Sequence, residues 1–222
     1  MNEVVLYQHL GLGDALVNNA LVRALAKSQR VMVLCKPHNV ISCVFQWRDN
    51  PNIRVYEVEN DVDAAVTCAY AESKGIEVIR NGLHKHDDIF DIRVWDREFY
   101  RHANVPFEQS WKGFKVDRDL RQEETVLPVP DYAFIHDDPE RGYYIDDSRI
   151  DKSLVRFRPN KLHSNIFTWC EAIERATEIH CMESCFAILA DRIPTTATRL
   201  CVHAYARKSI APTYKKAWEI LR

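Results

Sequence analysis

Short runs of β-branched and aliphatic residues alternate with helix-like stretches from Val4 to Ile79, and the same alternation resumes at Tyr132. Between the two regions stand Pro128 and Pro130, which interrupt regular structure. Strand–helix alternation of this kind predicts parallel sheets flanked by helices. The expected fold is therefore α/β, with two Rossmann-like lobes, residues 1–125 and 126–222, and a cleft between them.

In chain order, Val4 to Gln8, Val31 to Cys35, Ile53 to Val58 and Ile76 to Ile79 read as strands, with helices at Ala15 to Lys27, Val40 to Trp47 and Val62 to Ser73. In the first helix Val17, Ala20, Leu21 and Ala24 recur at helical spacing and turn one face to a sheet, whereas Asn19, Arg23 and Lys27 point elsewhere. From His84 to Glu124 the chain is charged and aromatic-rich, with short helices expected near Arg97 to Ala103 and Phe107 to Trp111; it reads as the closing segment of the first lobe and a linker. In the second lobe, strands are expected at Tyr132 to His136, Leu154 to Arg158, Glu178 to Met182 and Arg199 to His203. Helices are expected at Asn165 to Ala176 and Ser184 to Arg192, with a last one ending at Arg222.

An apolar fraction of 46% and a charged fraction of 28% place the chain among ordinary globular proteins, away from the disordered class. Acidic and basic residues are nearly balanced in both halves, and the formal net charge of −2 offers no basic stripe for a nucleic-acid backbone beyond the short stretch Arg207 to Lys216, which reads as a solvated helix flank. The 7 cysteines follow no pairing rhythm and sit mostly in apolar runs, as reduced buried thiols do. The N-terminus lacks the basic start and apolar run of a secretory signal, and no stretch approaches the ~18 apolar residues of a membrane span, so a cytoplasmic location is expected.

The sharpest local signal is Leu10-Gly11-Leu12-Gly13-Asp14, which follows the first strand and opens the first helix. Gly11 and Gly13 let a ligand approach the backbone, and free amides at a helix start favour an anion. Asp14 equally fits a plain structural role, accepting amide hydrogen bonds and complementing the helix dipole. No third glycine follows, which departs from the dinucleotide fingerprint, and Gly-Lys-Ser/Thr is missing, which excludes a Walker loop. In the second lobe Glu183 stands at a strand end, where a carboxylate can take two ribose hydroxyls, and Ser184 and Cys185 place amides at the following helix start, suited to a diphosphate. Helix capping is the plainer role for Glu183 and Ser184. His136 ends the strand before Asp137, Asp138 and Arg141. The Arg141 fork can hold phosphate oxygens, assisted by Lys161; the plainer role of each is a surface ion pair.

The stretch Gly11-Leu12-Gly13-Asp14-Ala15-Leu16, followed by Asn18, Asn19, Leu21 and Arg23, resembles the opening of the heptosyltransferase-like GT-B glycosyltransferases. The stretch from Ile179 to Asp191 is similar to the strand–turn–helix that holds the donor in that family. The resemblance implies that Asp14 is the catalytic base on an acceptor hydroxyl, that the donor is a nucleotide-diphosphate sugar and that the anomeric centre inverts. It implies no cofactor and no metal. Typical members are longer, so short acceptor loops are expected, with a glycan, a protein or a modified base in DNA as acceptor.

Two other functions fit the same residues. One is a non-catalytic nucleotide or nucleotide-sugar binding module. The other is a metal-dependent phosphate-ester hydrolase using the clusters His84-Lys85-His86-Asp87-Asp88 and His136-Asp137-Asp138, whose spacing matches no recognised ligand pair. His180, Cys181, Cys185 and His203 also suggest zinc on paper, but a strand sends positions 180 and 181 to opposite faces.

Overall fold

The computed structural model describes residues 2–85, 89–128, 131–160, 162–205 and 212–222. The chain divides into two compact units, Met1–Asp117 and Arg118–Arg222.

The first unit carries a four-stranded sheet built from β1 (Glu3–Tyr7), β2 (Arg30–Cys35), β3 (Ile53–Glu57) and β4 (Glu77–Arg80) in the order β3-β2-β1-β4. All pairings are parallel, with Val5 opposite both Met32 and Val78. The connections run outward from β1 to β3 and then return past β1 to β4, so chain direction across the sheet reverses between β1 and β4. In open α/β sheets ligands collect in the crevice at such a reversal, beyond the carboxyl ends of the strands.

Helices α1 (Leu12–Val17), α2 (Asn19–Leu25), α3 (Val40–Trp47) and α4 (Asp61–Ser73) connect these strands. The α4 face carrying Ala64, Cys68 and Ala71 packs on Val5, Tyr7 and Leu34. At its start the Asn60 side chain accepts the amides of Val62 and Asp63, at 2.9 and 3.1 Å.

The expected single helix from Ala15 to Lys27 is interrupted at Asn18, whose buried amide donates to Gln8 Oε1 at 2.6 Å. Asn19 points away from the sheet but not into solvent: it exchanges hydrogen bonds with the backbone of Lys115, at 3.1 and 3.2 Å. Arg23 grips Asp49 at 2.7 Å, and Lys115 reaches the same carboxylate at 2.9 Å. Burial opposes ionisation of Asp49, but these two cations overcome it and hold the carboxyl at about 2. Residues Asn18, Asn19 and Arg23 thus close the unit around its own chain. Helices α5 (Trp95–His102) and α6 (Gln109–Lys112) complete it, with Tyr100 Oη donating to the Val17 carbonyl at 2.8 Å.

The second unit starts at Arg118, before the expected boundary near residue 126. Helix α7 (Leu120–Glu124) belongs to it because Arg118 binds both Glu123 and Glu174, and Glu123 accepts the Glu171 amide at 3.0 Å. Its sheet contains β5 (Tyr132–His136), β6 (Val155–Phe157), β7 (Glu178–Met182), β8 (Arg199–His203) and β9 (Glu219–Leu221), ordered β6-β5-β7-β8-β9 and parallel throughout. Here the reversal falls between β5 and β7. Helices α8 (Cys170–Glu174) and α9 (Cys185–Arg192) flank the sheet, and the stretch expected as one helix from Asn165 begins as a tight turn at Ile166–Trp169.

The helix expected at the C-terminus is corrected by β9. The buried Asp191 carboxylate accepts the amides of Lys215 and Lys216 and the indole N–H of Trp218, each at 3.0 Å. Those amides are therefore unavailable for helical bonds, and the released chain pairs with β8, where Ala204 N donates to Leu221 O at 2.7 Å.

Candidate functional site

At the end of β1 the chain turns through Gln8–Gly11 into α1. Gly11 is the N-cap in an ordinary extended conformation, with φ −77° and ψ 149°, so its backbone angles do not require glycine. Space does. A Cβ at Gly11 would lie 2.5 Å from Asp14 Oδ2, because the Asp14 side chain folds back over the turn. Gly13 lies in the first turn of α1, and no side-chain hydrogen bond caps this helix. No capping bond of Asp14 is seen among the described residues, while as the acid of the first turn it still complements the helix dipole. The turn is tied down by the buried Asn39, whose amide donates to Leu10 O at 3.0 Å.

Beside Asp14 stands His9, a residue the sequence reading passed over. Its Nε2 accepts the Leu83 amide at 3.0 Å, and its Nδ1 lies 3.6 Å from Asp14 Oδ1. The ring meets Phe99 and His84 edge-on, at centroid distances of 4.9 and 5.3 Å. Leu83 follows β4, so this bond spans the β1/β4 reversal. Gly82 makes the approach possible: its φ of +61° is unfavourable for other residues, and a Cβ there would lie 2.4 Å from His9 Nε2 and 2.5 Å from the Phe99 ring. His84 stacks on Tyr7 at 3.8 Å. His86, Asp87 and Asp88, the rest of that cluster, lie outside the described residues.

In the second unit His136, at the end of β5, lies 3.0 Å from Ser184 Oγ through its Nδ1, spanning the β5/β7 reversal. Its ring packs on Phe186 at 4.2 Å. Burial drives the imidazole down to about 4, so it is neutral at pH 7. Ser184 is the N-cap of α9 by position, but its hydroxyl is turned to His136 and makes no capping bond. Glu183 is buried beside it, and Cys185 opens α9 half-exposed.

The triplet His136-Asp137-Asp138 diverges. His136 meets Ser184; Asp137 accepts Arg158 Nε and the Ile145 amide, both at 2.8 Å; Asp138 holds Arg141 at 2.6 Å. Arg141 is thus occupied by a neighbour three residues away, on an exposed turn. Arg158, which the sequence reading did not single out, also bridges to Asp147 at 2.7 Å. Lys161 lies outside the described residues.

His180 is buried between Glu178, at 3.0 Å, and His203, at 3.2 Å, while Cys181 sits among other core groups with its thiol pushed up by burial. Among the described residues no three His, Cys, Asp or Glu side chains are grouped to hold a metal, and no helix is long and apolar enough to cross a membrane.

Two units, each a parallel sheet flanked by helices with polar side chains gathered at its reversal point, define the class as an α/β protein. More particularly, this is the heptosyltransferase-like GT-B glycosyltransferase fold. The structure is similar to a family 9 glycosyl transferase from Veillonella parvula, with a TM-score of 0.62 at 10% identity over 99% of this chain and 86% of that one. It is also similar to the iron-containing dodecameric glycosyltransferase TibC from enterotoxigenic E. coli, with a TM-score of 0.52 at 15% identity, covering 90% of this chain and 57% of that one. E. coli heptosyltransferase WaaC with ADP gives a TM-score of 0.51 at 10% identity, over 100% and 93% of the two chains. No family model matches the sequence, and no curated protein is similar to it in sequence.

Proposed function

We propose that this protein is a glycosyltransferase that moves a sugar from a nucleoside-diphosphate donor to an acceptor hydroxyl with inversion and without a metal. The observation that carries the reading is the placement of Asp14: a carboxylate with no capping duty, folded over a glycine at the β1/β4 reversal. Asp14 removes the hydroxyl proton as the acceptor oxygen bonds to the anomeric carbon. The bond to the nucleotide breaks on the opposite face, and its electrons leave on the diphosphate.

In the second unit, the α9 start at Ser184 and Cys185 takes the diphosphate and Glu183 the ribose hydroxyls. Arg141 exchanges Asp138 for phosphate, and Lys161 assists. A nucleoside-diphosphate donor is supported by the ADP present in the WaaC structure. The acceptor is a glycan, a protein or a modified base.

Calorimetric titration with ADP-, UDP- and GDP-sugars, with donor cleavage followed in parallel, tests this reading. Binding with cleavage, unaffected by a chelator, is expected. Binding without cleavage in the presence of candidate acceptors would point to a non-catalytic module, for which the local pairing of Arg141 is the favouring observation. Chelator-sensitive phosphate release would favour the hydrolase.

A further inference from the structure

We infer that His9 is a positioning residue, which holds the Asp14 carboxylate in the orientation that receives the acceptor proton. The inference rests on the reading of Asp14 as the base.

A neutral imidazole has one nitrogen with a free lone pair and one N–H. The Leu83 amide can only donate, and it points at His9 Nε2 from 3.0 Å, so Nε2 must supply the lone pair. The ring proton is thereby placed on Nδ1, the nitrogen that faces Asp14 Oδ1. With its lone pair taken, His9 cannot itself be the base. What it offers is a donor aimed at one carboxylate oxygen, while the other oxygen lies over the exposed Gly11.

The imidazole is fixed on several sides. Phe99 and His84 meet it edge-on, and Gly82 allows the backbone to reach its Nε2. The Gly82 amide in turn donates to His102 Nδ1 at 3.1 Å, which locks the turn that carries Leu83. The gap of 3.6 Å between Nδ1 and Oδ1 is longer than a hydrogen bond, so the proposed role requires the contact to shorten when substrate binds. Catalytic contacts commonly tighten in this way once substrate is bound. Fixing one oxygen by a donor from a rigid ring leaves the other as the defined proton acceptor, and misorientation of such a group is costly in rate.

The imidazole nitrogens of 15N-labelled protein at about pH 8, where histidines are neutral, report the tautomer directly. The expected result is a protonated Nδ1 and an unprotonated Nε2 for His9, with the Nδ1 resonance displaced in Asp14→Asn. An Nε2–H tautomer, or a resonance unmoved by that substitution, overturns the inference. Turnover of ADP-, UDP- and GDP-sugars adds a second arm. His9→Leu is expected to lower kcat by about tenfold or more with donor KM within about twofold, the signature of an interaction used in the transition state. His9→Asn, whose side-chain amide donates from the place of Nδ1, recovers most of the loss, whereas His9→Gln does not. Equal loss in His9→Leu and His9→Asn, or a loss confined to KM, overturns the role. A wild-type protein that cleaves no donor refutes the Asp14 reading instead, and the tautomer measurement still decides the His9–Asp14 contact on its own.

Discussion

The two reversal points of this protein are built on one plan and finished differently. In each, a histidine at or just past the end of the first strand of the sheet bonds to the loop beyond the strand at the reversal: His9 to the Leu83 amide in the first unit, His136 to the Ser184 hydroxyl in the second. In the first unit the remaining ring nitrogen faces a half-exposed carboxylate, on a turn opened by two glycines. In the second the imidazole is packed on Phe186, and burial drives it to about 4. One crest keeps an accessible acid–base group. The other packs its imidazole in the neutral form.

The sharpest way to break this contrast is Asp14→Asn, which removes the base and keeps the shape. If the crests divide labour as proposed, kcat falls by about 10³-fold, within the usual range for loss of a general base, while donor affinity by calorimetry changes little. Normal turnover would end the proposed mechanism. Gly11→Ala tests the same crest by space alone: the added methyl lands on Asp14 Oδ2, and the expected cost of displacing the carboxylate is about 10²-fold in kcat with the melting temperature nearly unchanged.

The second crest should answer to pH through folding. His136 and His203 are both lowered from the ordinary 6.5 to about 4, first of all by burial, so between these values the unfolded chain binds more protons than the folded one. The stability these two imidazoles govern is therefore complete above about pH 6.5, falls as the pH drops towards 4 and levels off below it, by an order of 3 kcal/mol for each. Urea denaturation across this range checks the slope, and His136→Phe should reduce it. The smallest effect is expected from Ser184→Ala, which leaves the His136 nitrogen without its bond at a cost of roughly 1 to 3 kcal/mol. If its urea midpoint equals that of the parent protein, the bond across the β5/β7 reversal contributes nothing.

The strands were legible because β-branched runs between helix-like stretches carry their own periodicity, and β1, β2, β3, β5, β7 and β8 fall within a residue or so of their expected places. The turn at Gly11 to Asp14 was legible for a related reason: glycine and an acid at a strand–helix junction are local signs. What could not be read lies in partners far apart in sequence. His9 gives no sign of its role until Leu83, 74 residues later, is placed beside it. The residues Glu219 to Leu221 look helical until Asp191, more than 20 residues earlier, takes the amides that a helix would need.

By itself, then, the amino-acid order settled the places of β1 to β8 and where a turn could carry an acid, since these depend on neighbours a few positions away. Tertiary structure alone decided strand order, the side of each reversal on which a group falls and which polar groups are already engaged. Those outcomes depend on which distant donors and acceptors meet, and buried polar groups must be paired with whatever the fold brings within reach.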